Sequence, residues 1–198
     1  MKIARIVSSN SHIDYVGRII DEFDTNDAPT DDDYGFADFV SIPFDTDKKI
    51  FGVIYNSMLM NPEYANFGPR LSPKPELNQF SPDFLNEQGI LIGILLIGTL
   101  DKSGVSSHRI PNQVVPAGKD VYKVETEEIR QFHADSNSQV QLSYYSQVIA
   151  HAGLFAIPLL EAIIEKLESF ESSNQDIKSL TVLRQTLAWQ RTIGGMRL

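Results

Sequence analysis

The side chains best suited to chemistry are few and widely spaced. Histidines stand at His12, His108, His133 and His151, and only His133 has a carboxylate close by in sequence, Asp135. A histidine with an acid beside it suits general acid–base work, because the carboxylate orients the ring and fixes which nitrogen holds the proton. Asp135, however, precedes Ser136, Asn137 and Ser138, a run of capping residues, and is better explained as the cap of a helix beginning near Gln139. Metal-assisted chemistry is the other option to weigh. Asp21, Glu22, Asp24, Asp27, Asp31, Asp32 and Asp33 crowd one polar stretch, yet Asp31, Asp33 and Gly35 give only a shortened calcium-loop pattern, with Ser41 where a bidentate glutamate is required. The stretch reads as a solvated hairpin tip, with a cation site as the weaker alternative.

Other reaction classes fall away by residue type. Cysteine is absent, which removes thiolate metal sites, iron–sulfur clusters, disulfides and a cysteine nucleophile together. The nearest approach to a phosphate-binding loop, Gly93 to Gly98, continues into Thr99 and Leu100 rather than Lys and Ser or Thr, and lies inside an apolar run. No dinucleotide fingerprint, nucleophile elbow or HExxH pair is present. Ser106, Ser107 and Arg109 resemble a phosphate-contacting loop in composition only. Tyr15, Tyr34, Tyr55 and Tyr64 could stack bases, but single-strand binding also needs a basic groove, and the net charge is −9. The sequence therefore predicts no catalytic, cofactor-binding or metal-ligating residues, no cofactor, and no direct nucleic-acid binding.

What must position these groups is a sheet. Gly89 to Leu100, GILIGILLIGTL, is too short to span a membrane as a helix, and its three glycines disfavour a buried one. Its β-branched residues Ile90, Ile92, Ile94 and Ile97 favour a strand buried on both faces. Glycines inside a strand mark bends or close approach, as at the corners of a closed barrel. Further strands are predicted at Lys2 to Val7, His12 to Ile20 with Ile13 and Tyr15 on one face, Gly35 to Pro43, Lys49 to Leu59 as its hairpin partner, and Val121 to Val124. Val105 to Val115 reads as an edge or connector. Residues 61–88 hold half of the ten prolines and interrupt the rhythm, while Tyr64, Phe67, Phe80 and Phe84 argue for an ordered excursion over the barrel surface or against another chain.

The periodicity then changes. A helical turn from Thr126 to Phe132, a helix from about Gln139 to Ala150, an amphipathic helix after Pro158 with Leu159, Leu160, Ile163, Ile164, Leu167 and Phe170 on one stripe, and a last helix from about Gln175 to Thr192 are predicted. The last helix carries Ile177, Leu180, Leu183 and Leu187 with a second apolar set, Val182, Trp189 and Ile193, as a helix packed on two neighbours would. The fold class expected is mainly β with a helical annex (α+β): a small closed β-barrel over residues 1–125 followed by C-terminal α-helices over residues 126–198.

The strand order resembles the HAS-barrel family, the small barrel shared by HerA-type DNA-translocating ATPases and rotary ATP synthases. Tyr15 to Ile20 looks like its opening strand, Gly35 with Asp38 to Ile42 like its G-D-x-V strand, and Phe51 to Ile54 like its G-x-V return. Ile90 to Thr99 and Pro116 to Val121 look like its late strand and its turn before the motor. In the motor proteins a RecA-like ATPase follows, whereas here helices follow. The resemblance implies a module that organises rings or docks partners, working beside a separately encoded ATPase or nuclease, and it does not imply ATP hydrolysis.

The expectation is thus a non-catalytic assembly or docking module with a protein partner or self-association. Tyr64, Phe67, Phe80, Phe84, Leu183, Leu187, Trp189 and Ile193 are its candidate interface residues. An OB-like nucleic-acid binder and a metal-dependent enzyme are the alternatives. MKIARIVSSN lacks the apolar core of a signal peptide, which suggests a cytoplasmic protein.

Overall fold

A computed structural model describes residues 1–22, 24–60, 89–135, 137–170, 178 and 180–187. Seven strands form one antiparallel sheet: β1 (Lys2–Ser9), β2 (Asp14–Ile19), β3 (Phe39–Pro43), β4 (Lys48–Met60), β5 (Gly89–Asp101), β6 (Ser106–Ser107) and β7 (Asp120–Lys123). They run in the order β2-β1-β7-β3-β4-β5-β6, and β2 also pairs with β5. That extra pairing closes a six-stranded barrel and leaves the two-residue β6 as an appendage on β5.

The predicted barrel is confirmed, and its glycines show how it closes. β5 hydrogen-bonds to β4 along Lys48 to Met60 and to β2 along Asp14 to Arg18, so Ile94 lies opposite both Tyr15 and Ile54. A small barrel has room for few interior side chains. A Cβ at Gly17 would come within 3.3 Å of Ile94 and one at Gly52 within 2.7 Å, so these two positions make space for that isoleucine. On the opposite face of β4, Phe51 stacks on Phe132 at 4.4 Å between centroids, nearly coplanar at 7°. The middle of the barrel wall is therefore buried from inside by barrel side chains and from outside by helices. This is why Ile92 to Ile97 reads as an unbroken apolar run.

The helices are α1 (Thr126–His133), α2 (Tyr145–His151), α3 (Ala156–Phe170) and α4 (180–187). α3 follows its predicted stripe, with Leu159, Leu160, Ile163, Ile164 and Leu167 all buried. One continuous hydrophobic cluster runs from the barrel interior through these helices.

Several boundaries differ from the sequence reading. The predicted helix over Gln139 to Ala150 begins only at Tyr145, because Val140 bridges back to Ala134 as extended backbone. β3 starts at Phe39 rather than Gly35, since Ala37 has φ of 64° and cannot continue a strand. The acidic stretch is not a hairpin tip: β2 and β3 are not neighbours, and the segment crosses from one side of the barrel to the other.

Candidate functional site

α1 brings His133 to the inner side of the helical layer, where it meets His108 and Tyr144. His133 is 1% exposed. Its Nδ1 lies 2.7 Å from the Ile129 carbonyl oxygen, an acceptor only, so Nδ1 carries the proton and donates there. Nε2 then accepts from the Tyr144 hydroxyl at 2.8 Å. His108 repeats the arrangement with the nitrogens exchanged: Nε2 donates to the Phe132 carbonyl at 2.8 Å, and Nδ1 accepts from the Ser143 amide at 3.2 Å. Phe39 and Phe132 pack against the pair, and Phe51 stacks on Phe132 behind them.

Burial drives both rings to the neutral form, His133 down to about 3 and His108 in the same direction. The Tyr144 hydroxyl is pushed upward by burial. With every ring nitrogen engaged, neither histidine has a lone pair or proton to offer a substrate. The cluster is a polar clamp between α1, the β6 connection and α2. Asp135 does not join it. Its Oδ1 accepts from the amides of Asn137 and Gln139 at 2.7 and 2.8 Å, so it caps a turn and not the helix near Gln139 that its sequence context suggested.

The remaining histidines are apart. His12 Nε2 is 2.7 Å from the Pro111 carbonyl, and His151 is exposed at the end of α2.

The acidic stretch is held by its own partners. Arg18 binds Asp21 at 3.0 Å and Asp24 at 2.8 Å. Asp33 accepts from the Thr30 amide at 2.8 Å and hydroxyl at 2.9 Å, and pairs with Lys123 at 3.0 Å. The Thr30 backbone bond, with Lys123 and the Thr30 hydroxyl, holds the Asp33 carboxyl down at about 2. Among the described residues no three His, Asp or Glu side chains converge in a way that would hold a metal ion.

Of the tyrosines considered for base stacking, the three among the described residues are likewise committed, and Tyr64 lies outside them. Tyr15 is buried and its hydroxyl accepts from the Val115 amide at 3.1 Å. Tyr55 donates to Asp14 at 2.8 Å, and Tyr34 to Asp31 at 2.7 Å. Ser106 and Ser107 pair with Leu100 and Thr99 as β6 rather than forming a phosphate loop.

Of the predicted interface residues, Tyr64, Phe67, Phe80, Phe84, Trp189 and Ile193 lie outside the described residues. Leu187 is fully buried and Leu183 packs against the core, so the described part of the last helix turns these side chains to its own chain. Val182 on the same helix is exposed, and further exposed apolar surface among the described residues lies elsewhere. Leu154 is 96% exposed in the 3₁₀ turn Gly153–Phe155, and beside it Phe155 meets the half-exposed Phe36 edge-on at 6.0 Å. Phe36 also lines a cleft of about 310 Å³ with Asp31, Tyr34, Met58, Leu59 and Ile90. Sequence periodicity could not single these residues out, because they belong to turns and to a strand end.

A closed antiparallel barrel with an outer helical layer, a locked histidine clamp and an apolar rim is the class these features define. The chain belongs to the family described as Domain of unknown function (DUF8166), which matches residues 1–197. No curated protein matches it. No described helix is long and apolar enough to cross a membrane.

Proposed function

We propose that this chain is a non-catalytic barrel module that docks a protein partner in the cytoplasm. The observation that carries this reading is the apolar rim of Phe36, Leu154 and Phe155, of which Leu154 is 96% exposed. The engagement of His108, His133 and the acidic loop in internal bonds supports the non-catalytic part. The HAS-barrel resemblance names the partner class to try first, a separately encoded HerA-type ATPase or a nuclease of DNA processing. Direct nucleic-acid binding gains no support from a surface with a net charge of −9.

The test is to recover partners on the tagged protein and on Leu154→Glu and Phe155→Ser, with co-expressed candidate ATPases and nucleases as defined baits. A stoichiometric partner lost with either variant is the expected result. A strictly monomeric protein that retains no partner, or a partner indifferent to both variants, overturns the reading.

A further inference from the structure

Barrel closure removes sheet edges almost everywhere, but β4 is longer than the strand beside it. β3 pairs with β4 only from Lys49 to Val53, with Ile54 tied by its amide and carbonyl to Asp38 and Ala37. Beyond that point β4 continues through Tyr55, Asn56, Ser57, Met58, Leu59 and Met60, bonded on its other side to β5. Among the described residues no strand covers the side that β3 has left.

The Ser57 amide faces that open side, because it donates to the Asn56 side-chain oxygen at 2.9 Å instead of to the ladder. Leu59, two residues on, faces the same way by strand periodicity. Natural edges are usually guarded by charge, proline or shortness. Residues 55–60, YNSMLM, have neither charge nor proline, and Leu59 is 84% exposed.

The open edge is one wall of the 310 Å³ cleft, and the segment with Tyr34 and Phe36 is the other. A cleft of about 310 Å³ suits one extended segment better than the rim of a second barrel. Among the described residues the cleft's only charged lining residue is Asp31, whose Oδ1 accepts from Tyr34, and Asp32 beside it is exposed. Two copies of the chain would bring these acidic rims together.

We propose that this cleft is a strand-addition site for an extended segment of a partner protein, apolar at alternate positions and carrying Lys or Arg at the end that meets Asp31. It rests on the docking reading above and adds the occupant's chemistry and backbone form. The partner's main chain would pair with the Ser57 and Leu59 edge, displacing the Asn56 side chain. Its alternate side chains would pack on Met58, Ile90 and Phe36.

The experiment is selection of a displayed random octapeptide library against the full chain, followed by titration of synthetic copies of the enriched peptides. Enriched sequences should alternate apolar residues with a basic end, and binding should slow hydrogen exchange at the Ser57 and Leu59 amides. Leu59→Pro, which removes an outward amide and leaves the β5 ladder intact, should weaken binding at least tenfold. Leu59→Lys should do the same at an exposed, well-tolerated position, and Asp31→Lys should abolish the preference for a basic end. No enrichment, helical or acidic consensus peptides, or affinity unchanged by both Leu59 variants overturns the proposal. So does a dimer in light scattering that Leu59→Lys dissociates, which assigns the edge to a second copy. A partner that still depends on Leu154 while peptide selection fails would leave the docking reading standing and remove this one alone.

Discussion

The Tyr144 hydroxyl donates to His133 Nε2 at 2.8 Å, joining the residue just before α2 to the last residue of α1. Both side chains are buried. Removing the hydroxyl leaves a buried ring nitrogen without a partner, which costs more than the bond's modest net worth. Tyr144→Phe should lower stability by about 1–3 kcal/mol, read from the shift of the urea midpoint at constant m-value.

The same clamp sets a pH dependence. His133 has a folded-state value of about 3 against 6.5 in the unfolded chain, and His108 is shifted the same way by burial. Below pH 6.5 the unfolded chain binds protons that the folded chain refuses, so acid favours unfolding. Stability is complete above that pH and falls as pH drops toward 3, by up to about 1.4 kcal/mol per pH unit for His133, with His108 adding a loss of the same sign. The carboxylates held low, Asp33 among them, add their loss only below the ordinary range near 3.8. Denaturation measured between pH 7 and 4 should show the slope, and His133→Gln should flatten it whatever it does to stability at pH 7.

Gly98 lies where β5 passes under β6. A Cβ there would sit 2.1 Å from the Ser107 carbonyl oxygen and 3.0 Å from the Phe132 ring. Gly98→Ala should therefore push β6 off the barrel or displace α1, costing about 1–3 kcal/mol or more by thermal denaturation. A variant of unchanged stability would contradict the close approach.

Asp38 connects the start of β3 to α3 through its ion pair with Lys166, and its other oxygen accepts from the Gly35 amide at 2.6 Å. Both side chains are partly exposed, at 20% and 33%, so the pair itself should be worth only about 0.5–1 kcal/mol in a double-mutant cycle of Asp38→Ala with Lys166→Met. Asp38→Ala should be the more costly single change, because it also frees the Gly35 amide.

The elements legible in the sequence were those with one dominant cause. β5 was recognisable because β-branched residues and glycines both pointed to strand, and α3 because a single apolar stripe has a single reading. Closure followed from strand number and internal glycines. Gly17 and Gly52 could be seen as bends, but their service to Ile94 depends on ladders to strands far along the chain that no local pattern encodes. The helix ending at His151 starts later than its caps suggest, because capping residues at 135–138 signal a turn as well as a helix, and here Asp135 serves the turn. His133 was legible as unusual. That its partner is Tyr144 rather than Asp135 was not, since the i, i+2 spacing puts the acid beyond the end of α1. The exposed rim escaped notice because Phe36, Leu154 and Leu59 gain their meaning from lacking neighbours, which is a property of the folded surface.

β1 makes its second ladder with β7, so Arg5 meets Asp120 across 115 residues of chain. During synthesis β1 and β2 can pair at once, β3 with β4 soon after, and β5 then joins β2 to β4, but the barrel stays open between β1 and β3 until residue 123 has left the ribosome. Loop-closure entropy must be met before that seam repays it. Folding should therefore be late and cooperative, with the apolar flanks of β1 and β3 open in the nascent chain, and a chain stalled before β7 would be the natural client of a chaperone.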